Sequence, residues 1–387
     1  MSNFKIGFFG DIMMGVCSDT RQSYENLLGV RVQKGNYNLD ALNEFVNIND
    51  INIANLESPL SQEVHYQRGQ KKILGPKEGI DLLKKLNINV VSLANNHTFD
   101  QGLQILSETK TILKDTGIIS IRSPQFNDMS HTFEKKGKKI CIIAYGAKPF
   151  YNVETDCLDP DYYKNWGFFR DSIRNNEDEL NPDWLSTGNL APLIKEVKMR
   201  KEEGSLVLVF IHWGFANTKL PSPIQIEIAH KLINTGANAV IGHHPHVIQP
   251  IEIYKGKPIA YSLGNFMFDS WKPDKKRSLL VRLTEKENSF LPEYFISDRD
   301  ANYRFRFNPI TMKEAEIKAD EHTLQFLYPE FLETEIKNAK NILSSYYRYS
   351  QYRNRCRKPD IKKELVDFYD CDFSLSDKLS ILFSKIK

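Results

Sequence analysis

At 387 residues, with 41% hydrophobic and 26% charged residues, the chain has room for one large domain with an appendage or for two domains. A formal net charge of +3 gives no ground by itself for a nucleic-acid or membrane partner. Five scattered cysteines (Cys17, Cys141, Cys157, Cys356 and Cys371) include no C-x-x-C pair, which argues against a zinc ribbon and a disulfide framework and suits a reducing compartment.

The first apolar run, Ile6–Phe9, is too short for a signal-peptide core, and no run reaches membrane-spanning length. A cytoplasmic protein without a membrane span is the expectation. Ile6–Phe9 reads as a buried strand ending in Gly10-Asp11, and Leu39–Ile48 has near-helical apolar spacing. A strand over Ile51–Ala54 delivers Asn55-Leu56-Glu57. Pro76–Leu86 is expected to be helical with proline near its first turn, and it feeds a strand Ile88–Ala94 that ends in Asn95-Asn96-His97. A helix follows through Leu103–Thr116, stopped by Gly117. This is α/β alternation, with polar side chains at each strand end.

Ile118–Ile121 reads as a short strand and Thr132–Tyr145 as a hairpin around Lys136-Gly137-Lys138. Residues 147–190 are rich in Pro, Asn, Asp and aromatics without periodicity, and are expected to form an inserted lid. A helix Pro192–Glu203 then leads to the strand Leu206–Ile211 and His212. Ser222-Pro223-Ile224-Gln225 opens a helix to Thr235, before Ala239-Val240-Ile241-Gly242-His243-His244-Pro245-His246. Three of the nine histidines fall in those last four positions, beyond a short buried strand, where open α/β sheets bind ligands. Val247–Tyr254 and Pro258–Leu263 read as a hairpin, and Ser278–Thr284 and Tyr294–Phe307 as further strands. Phe331 to Tyr346 follows a helical apolar face, Tyr346 to Lys363 interleaves tyrosines with Arg and Lys, and Phe373–Ile386 is a last amphipathic helix. The basic, tyrosine-rich segment 346–363 could bind nucleic acid, but a solvated helix face is the favoured reading.

Successive strand ends thus offer Asp11, Glu57, Asn96–His97, His212, and His244 with His246. Two metals roughly 3.5–4 Å apart need a bridging carboxylate with terminal nitrogen and oxygen ligands, and this inventory supplies them. His97 suits a catalytic role, with Asp100 three residues on to hold its tautomer.

Gly10-Asp11-Ile12-Met13-Met14-Gly15, Asn55-Leu56-Glu57-Ser58-Pro59, Ala94-Asn95-Asn96-His97-Thr98-Phe99-Asp100, His212-Trp213-Gly214, Gly242-His243-His244-Pro245-His246 and Tyr261-Ser262-Leu263-Gly264-Asn265-Phe266 occur in that order. The set resembles the CapA family of capsule-synthesis proteins, associated with poly-γ-glutamate, which is similar to the calcineurin-like metallophosphoesterases. The resemblance implies a four-layer α/β/β/α sandwich over residues 1–270, while the apolar helix faces farther on predict a mostly helical C-terminal extension over 271–387 packed on it. The resemblance also implies two divalent transition-metal ions of the Mn, Fe or Zn kind.

Carried over by resemblance, Asp11 is the first-motif carboxylate and Glu57 stands where a bridging aspartate would be. Asn96 is the ligand of an Asn-His pair, His97 the acid or phosphate-facing histidine, and His212, His244 and His246 further ligands. His243 is left with an open role. Met13 occupies the place of the phosphoesterase Asp-x-His histidine, and Phe215-Ala216-Asn217 lacks the acidic residue many such sequences carry there. The expected function is a metal-dependent hydrolase or transferase in the synthesis of a capsule or other cell-surface polymer. Its expected partners are an anionic small-molecule or polymer substrate and other capsule-synthesis proteins. The alternatives are a non-catalytic scaffold of a polymer-synthesis complex and a phosphoesterase acting on nucleotides or nucleic acid, the latter disfavoured.

Overall fold

A computed structural model describes residues 3–16, 24–67, 73–98, 100–122, 128–135, 137–147, 151–152, 157–158, 190–214, 221, 223–269, 276–300 and 303–310. The first half runs β1 (Lys5–Ile12), α1 (Leu28–Gln33), α2 (Asn43–Ile48), β2 (Ile51–Leu56), β3 (Leu60–Ser61), β4 (Gly75–Pro76), α3 (Gly79–Lys85), β5 (Ile88–Ser92), α4 (Gly102–Asp115) and β6 (Ile119–Ile121). There follow β7 (Ser130–Lys135), β8 (Lys138–Ala147), β9 (Tyr151–Asn152), β10 (Cys157–Leu158), α5 (Ala191–Glu202), β11 (Leu206–Trp213), α6 (Pro223–Thr235) and β12 (Ala239–His243). The described part closes with β13 (Ile251–Tyr254), β14 (Lys257–Ala260), β15 (Asn265–Met267), β16 (Arg277–Lys286), β17 (Ser289–Arg299) and β18 (Phe305–Ile310).

Two large sheets result. The first has the order β18-β17-β16-β1-β2-β5-β6, with β15 also pairing β1, and the second β13-β14-β12-β11-β8-β7. β1, β2, β5 and β6 are mutually parallel, as are β8, β11, β12 and β14. Period-two alternation then decides what each face meets. Ile6 and Phe8 of β1, Leu206, Leu208 and Phe210 of β11, and Leu279, Val281 and Leu283 of β16 share one buried cluster between the sheets. The rings of Phe8 and Phe210 meet there at 5.8 Å. Val207, Val209 and Ile211 turn the other way, onto Leu193 and Val197 of α5 and Leu232 of α6. On the outer side of the first sheet, Phe9, Ala54 and Val91 pack with Phe45 of α2, Leu83 of α3 and Leu113 of α4. Each fully buried Leu, Ile or Phe contributes about 1.5–3 kcal/mol. The layers are helix, sheet, sheet, helix, the four-layer sandwich that the resemblance implies.

Three local expectations are corrected. The helix expected from Pro76 begins at Gly79, because Pro76 lies in β4 beside Ser61. The amides of Gly75 and Lys77 donate across this pair while Pro76, which has no N–H, is not asked to. Tyr294–Phe307 is not one strand but parts of β17 and β18, joined through Tyr303 at φ 55°. The regular hairpin ladder on the second sheet is confined to Ile251–Tyr254 against Lys257–Ala260, its antiparallel pairing reaching the expected ends only through an isolated bridge of Ile248 with Leu263; Lys255 and Gly256 turn it with φ of 50° and 71°.

Past residue 270 the chain continues the first sheet, β16 lying antiparallel to β1 with Lys5 opposite Thr284. The expected helices through Phe331–Tyr346 and Phe373–Ile386, the segment 346–363 and nearly all of the expected lid 147–190 lie outside the described residues. Among the described residues no helix is long and apolar enough to cross a membrane.

Two glycines set how closely the site-bearing strands approach their neighbours. A Cβ on Gly10 would lie 2.0 Å from the Gly264 carbonyl oxygen, and one on Gly242 would lie 2.1 Å from that of Tyr261 and 2.4 Å from Trp213 Nε1. Trp213 Nε1 donates to that Tyr261 carbonyl at 2.9 Å. Gly242→Ala is therefore expected to break this bond and cost about 1–3 kcal/mol, measured by urea unfolding, as overpacked interiors generally do.

Candidate metal centre

The parallel strands of both sheets deliver their C-terminal ends to one crevice. Asp11 stands near the end of β1, Glu57 directly after β2, Asn95 to His97 just past β5, His212 on β11, and His243 to His246 at and after β12. The turn after β12 is forced into unusual backbone. His244 has φ 101° and His246 φ 59°, conformations that cost a non-glycine residue of order 1–3 kcal/mol and cluster at functional sites.

Asp11 and Glu57 are fully buried at 0% exposure, and His212 is 2% exposed. Three groups bring their donor atoms within 4.8 Å of one another: Asp11, His212 and His243; Glu57, His212 and His244; and Asp11, Glu57 and His246. Glu57 Oε1 is the common point, 3.7 Å from His246 Nε2, 3.8 Å from His212 Nε2 and 3.9 Å from His97 Nε2. Asn96 Oδ1 lies 2.6 Å from His212 Nε2. His97 turns its Nδ1 to Asp100 Oδ2 at 2.6 Å, which leaves Nε2 facing the crevice from the more open side. All the residues singled out in the sequence converge here except Asp100, whose described contact with the site is through His97. Met13, which the resemblance sets at the place of a histidine, is fully buried and packs with Ile73 and Phe268.

Three asparagines complete the arrangement. Asn55 Nδ2 donates to Asp11 Oδ1 at 2.8 Å and lies 3.4 Å from His212 Nδ1. Asn95 Nδ2 donates to Asn55 Oδ1 at 3.1 Å, while its own Oδ1 accepts from the His97 amide at 3.0 Å. Asn265 Oδ1 is 2.9 Å from His246 Nδ1. Each lies inside a motif quoted from the sequence, Asn95 directly beside Asn96, Asn55 two positions before Glu57, and Asn265 in the Tyr261–Phe266 motif. Membership of those motifs is the available signal.

Charge follows from burial. Burial raises the Asp11 carboxyl, but the His246 hydrogen bond and charge, the His243 charge and the Asn55 bond outweigh it, and the net direction is down. His212 is pushed well below the usual imidazole range, first by burial and then by the neighbouring histidines. His243 is pushed down to about 4, by burial above all, with Asp11 opposing and His246 adding. Neutral imidazoles beside buried carboxylates are a donor set that fits a divalent transition ion.

The same shifts make the metal-free protein acid-sensitive. Because His243 binds its proton near pH 6.5 when unfolded and near 4 when folded, the unfolded chain takes up protons first as pH falls. Its stabilising effect is complete above about pH 6.5 and is lost progressively down to pH 4, by about 3 kcal/mol. His212 acts in the same direction, and Asp11, held below the ordinary carboxylate range, extends the loss to lower pH. Urea midpoints at pH 7.5, 5.5 and 4.5 in the presence of a chelator check this, and a flat profile contradicts it.

The protein "PGA biosynthesis protein CapA" of Bacillus subtilis (strain 168) is 28% identical over 314 residues, spanning 80% of this chain and 71% of that protein. "Capsule biosynthesis protein CapA" of Bacillus anthracis is 29% identical over 243 residues, 60% of this chain and 54% of that one, so the chain spans about half of this second relative. Among solved structures, a putative 5'-nucleotidase from Staphylococcus aureus in complex with alpha-ketoglutarate aligns with a TM-score of 0.43 at 12% identity, over 88% of this chain and 58% of that one. The family described as "Bacterial capsule synthesis protein PGA_cap" matches residues 5–270, from the start of β1 to just past β15. With well over half of its length inside that match, the chain belongs to the PGA_cap family of bacterial capsule synthesis proteins.

Proposed function

We propose that the chain is a metal-dependent hydrolase or transferase acting in the synthesis of a capsule or other cell-surface polymer of the poly-γ-glutamate kind. The observation that carries this reading is the placement of Glu57 Oε1 within 3.9 Å of three imidazole Nε2 atoms from three different strand ends. Glu57 and Asp11 each belong to two of the three donor groups, so two ions of the Mn, Fe or Zn kind find ligands among Asp11, Glu57, Asn96, His212, His244 and His246. Such ions supply Lewis acidity toward a phosphoryl or acyl oxygen and activate water. The chain's own residues do the rest. Asn55 holds Asp11 in place, Asn265 sets the direction of His246, and His97, its Nδ1 held by Asp100, carries a proton to or from Nε2 at the crevice. The substrate class is an anionic polymer or small molecule, in keeping with the names of the Bacillus relatives.

A second reading, an accessory scaffold of the polymer-synthesis machinery, is favoured by one observation: Met13, at the position where the resemblance sets a histidine ligand, is an apolar, fully buried side chain. One experiment separates the two. The purified chain, loaded in turn with Mn²⁺, Fe²⁺ and Zn²⁺, is incubated with generic phosphoesters and with γ-linked glutamate oligomers. Turnover that disappears with chelator and returns with metal supports the enzyme. A metal-loaded protein inert toward both classes supports the scaffold.

A further inference from the structure

His243 is the histidine of the crevice motif to which no role has been assigned, and its surroundings are specific. Strands β11 and β12 pair in a register that sets His212 directly opposite His243. The two Nδ1 atoms lie 2.7 Å apart. Two ring nitrogens at that distance need one proton between them, so one ring donates and the other accepts. His243 is 0% exposed, its ring centroid sits 4.4 Å from that of Phe210, and among the described residues its Nε2 has no hydrogen-bond partner.

The far side of His212 decides the direction of that bond. Its Nε2 lies 2.6 Å from Asn96 Oδ1, an acceptor, which without an ion requires the His212 proton on Nε2. Nδ1 of His212 is then bare and accepts from His243 Nδ1–H. A ligand nitrogen must give up that proton. When His212 Nε2 serves as a ligand, its proton belongs on Nδ1, and His243 Nδ1 has to become the acceptor.

The geometry points to His243 as a positioning residue that holds His212 in its metal-ligating tautomer, the two rings exchanging donor and acceptor roles as the site fills. This rests on the metal reading of the crevice. In the exchange the proton on His243 Nδ1 passes to His212 Nδ1, the His212 Nε2 proton leaves, and His243 Nε2 takes one up against the Phe210 ring. The pair carries two ring protons before and after, and both rings stay neutral. On this account His243 touches no ion itself, although it belongs to the donor group with Asp11 and His212 and its Nδ1 lies 3.6 Å from Asp11 Oδ1.

The test uses the full chain with ¹⁵N-labelled histidine and Zn²⁺ as a diamagnetic probe. The expected spectra put protons on His212 Nε2 and His243 Nδ1 without zinc, and on His212 Nδ1 and His243 Nε2 with it. Zinc affinity is then read by competition with a chelating dye in two variants. His243→Leu removes the acceptor and is expected to weaken binding 10–100-fold, the usual effect of losing an outer-shell partner. His243→Asn keeps an oxygen near the Nδ1 position and should restore affinity to within a few-fold of native. If His243→Leu does not fold, the native spectra decide. Zinc bound by the native chain with an unchanged tautomer pattern, with a zinc-ligated His243 nitrogen, or with full affinity in His243→Leu overturns this inference alone. No zinc binding by the native chain overturns it together with the metal reading.

Discussion

Alanine in place of His97 is expected to lower turnover by roughly 10²–10⁴ while leaving metal content near the native level, the usual weight of a general acid or base. Its placement separates it from the ligands. His97 is in none of the three donor groups, and its side chain keeps 16% exposure while Asp11 and Glu57 beneath it have none. The bond from Nδ1 to Asp100 at 2.6 Å fixes the ring with Nε2 toward the crevice. That is the orientation needed to pass a proton to a leaving group. Turnover and metal analysis on the same preparation check the assignment. Metal lost in step with activity would make His97 a ligand.

Glutamine at Glu57 is expected to weaken metal binding by more than the roughly 10–100-fold typical of outer-shell changes. The substitution keeps the shape of the side chain but removes the negative charge shared by two donor groups. Glu57 is fully buried, so water cannot readily take over its role. His244→Ala should also release most of the metal, since His244 contributes a donor to the group with Glu57 and His212 and its strained φ of 101° holds it there. Competition with a chelating dye measures both variants, and near-native affinity in either contradicts its assignment.

Much of this site was legible because its strands are short apolar runs buried on both faces. Val207, Val209 and Ile211 pack toward one helix layer while Leu206, Leu208 and Phe210 pack between the sheets, so the run is unbroken and its end is sharp. Acidic, amide and imidazole side chains placed just beyond such ends fall into one crevice whatever the details of packing. The supporting asparagines were less visible. Asn55, Asn95 and Asn265 act through hydrogen bonds to neighbours 19 to 157 positions away or only a few, and no local pattern distinguishes such an amide from a turn residue. The pairing of His243 with His212 depends on the β11–β12 register, and the position of β16 beside β1 on a contact between the first strand and one beyond the matched region. Neither follows from periodicity. Pro76 was misread because proline opens helices and also fits a strand position that donates no hydrogen bond.

The central claim is that Asp11, Glu57, His212, His244 and His246 form a metal site. Elemental analysis of the purified native chain, incubated with Mn²⁺, Fe²⁺ or Zn²⁺, desalted and compared with Glu57→Gln treated in parallel, tests it most directly. Tightly retained divalent metal in the native chain and its loss in the variant is the predicted result. A native chain that retains no more metal than Glu57→Gln, while both remain folded, would contradict it.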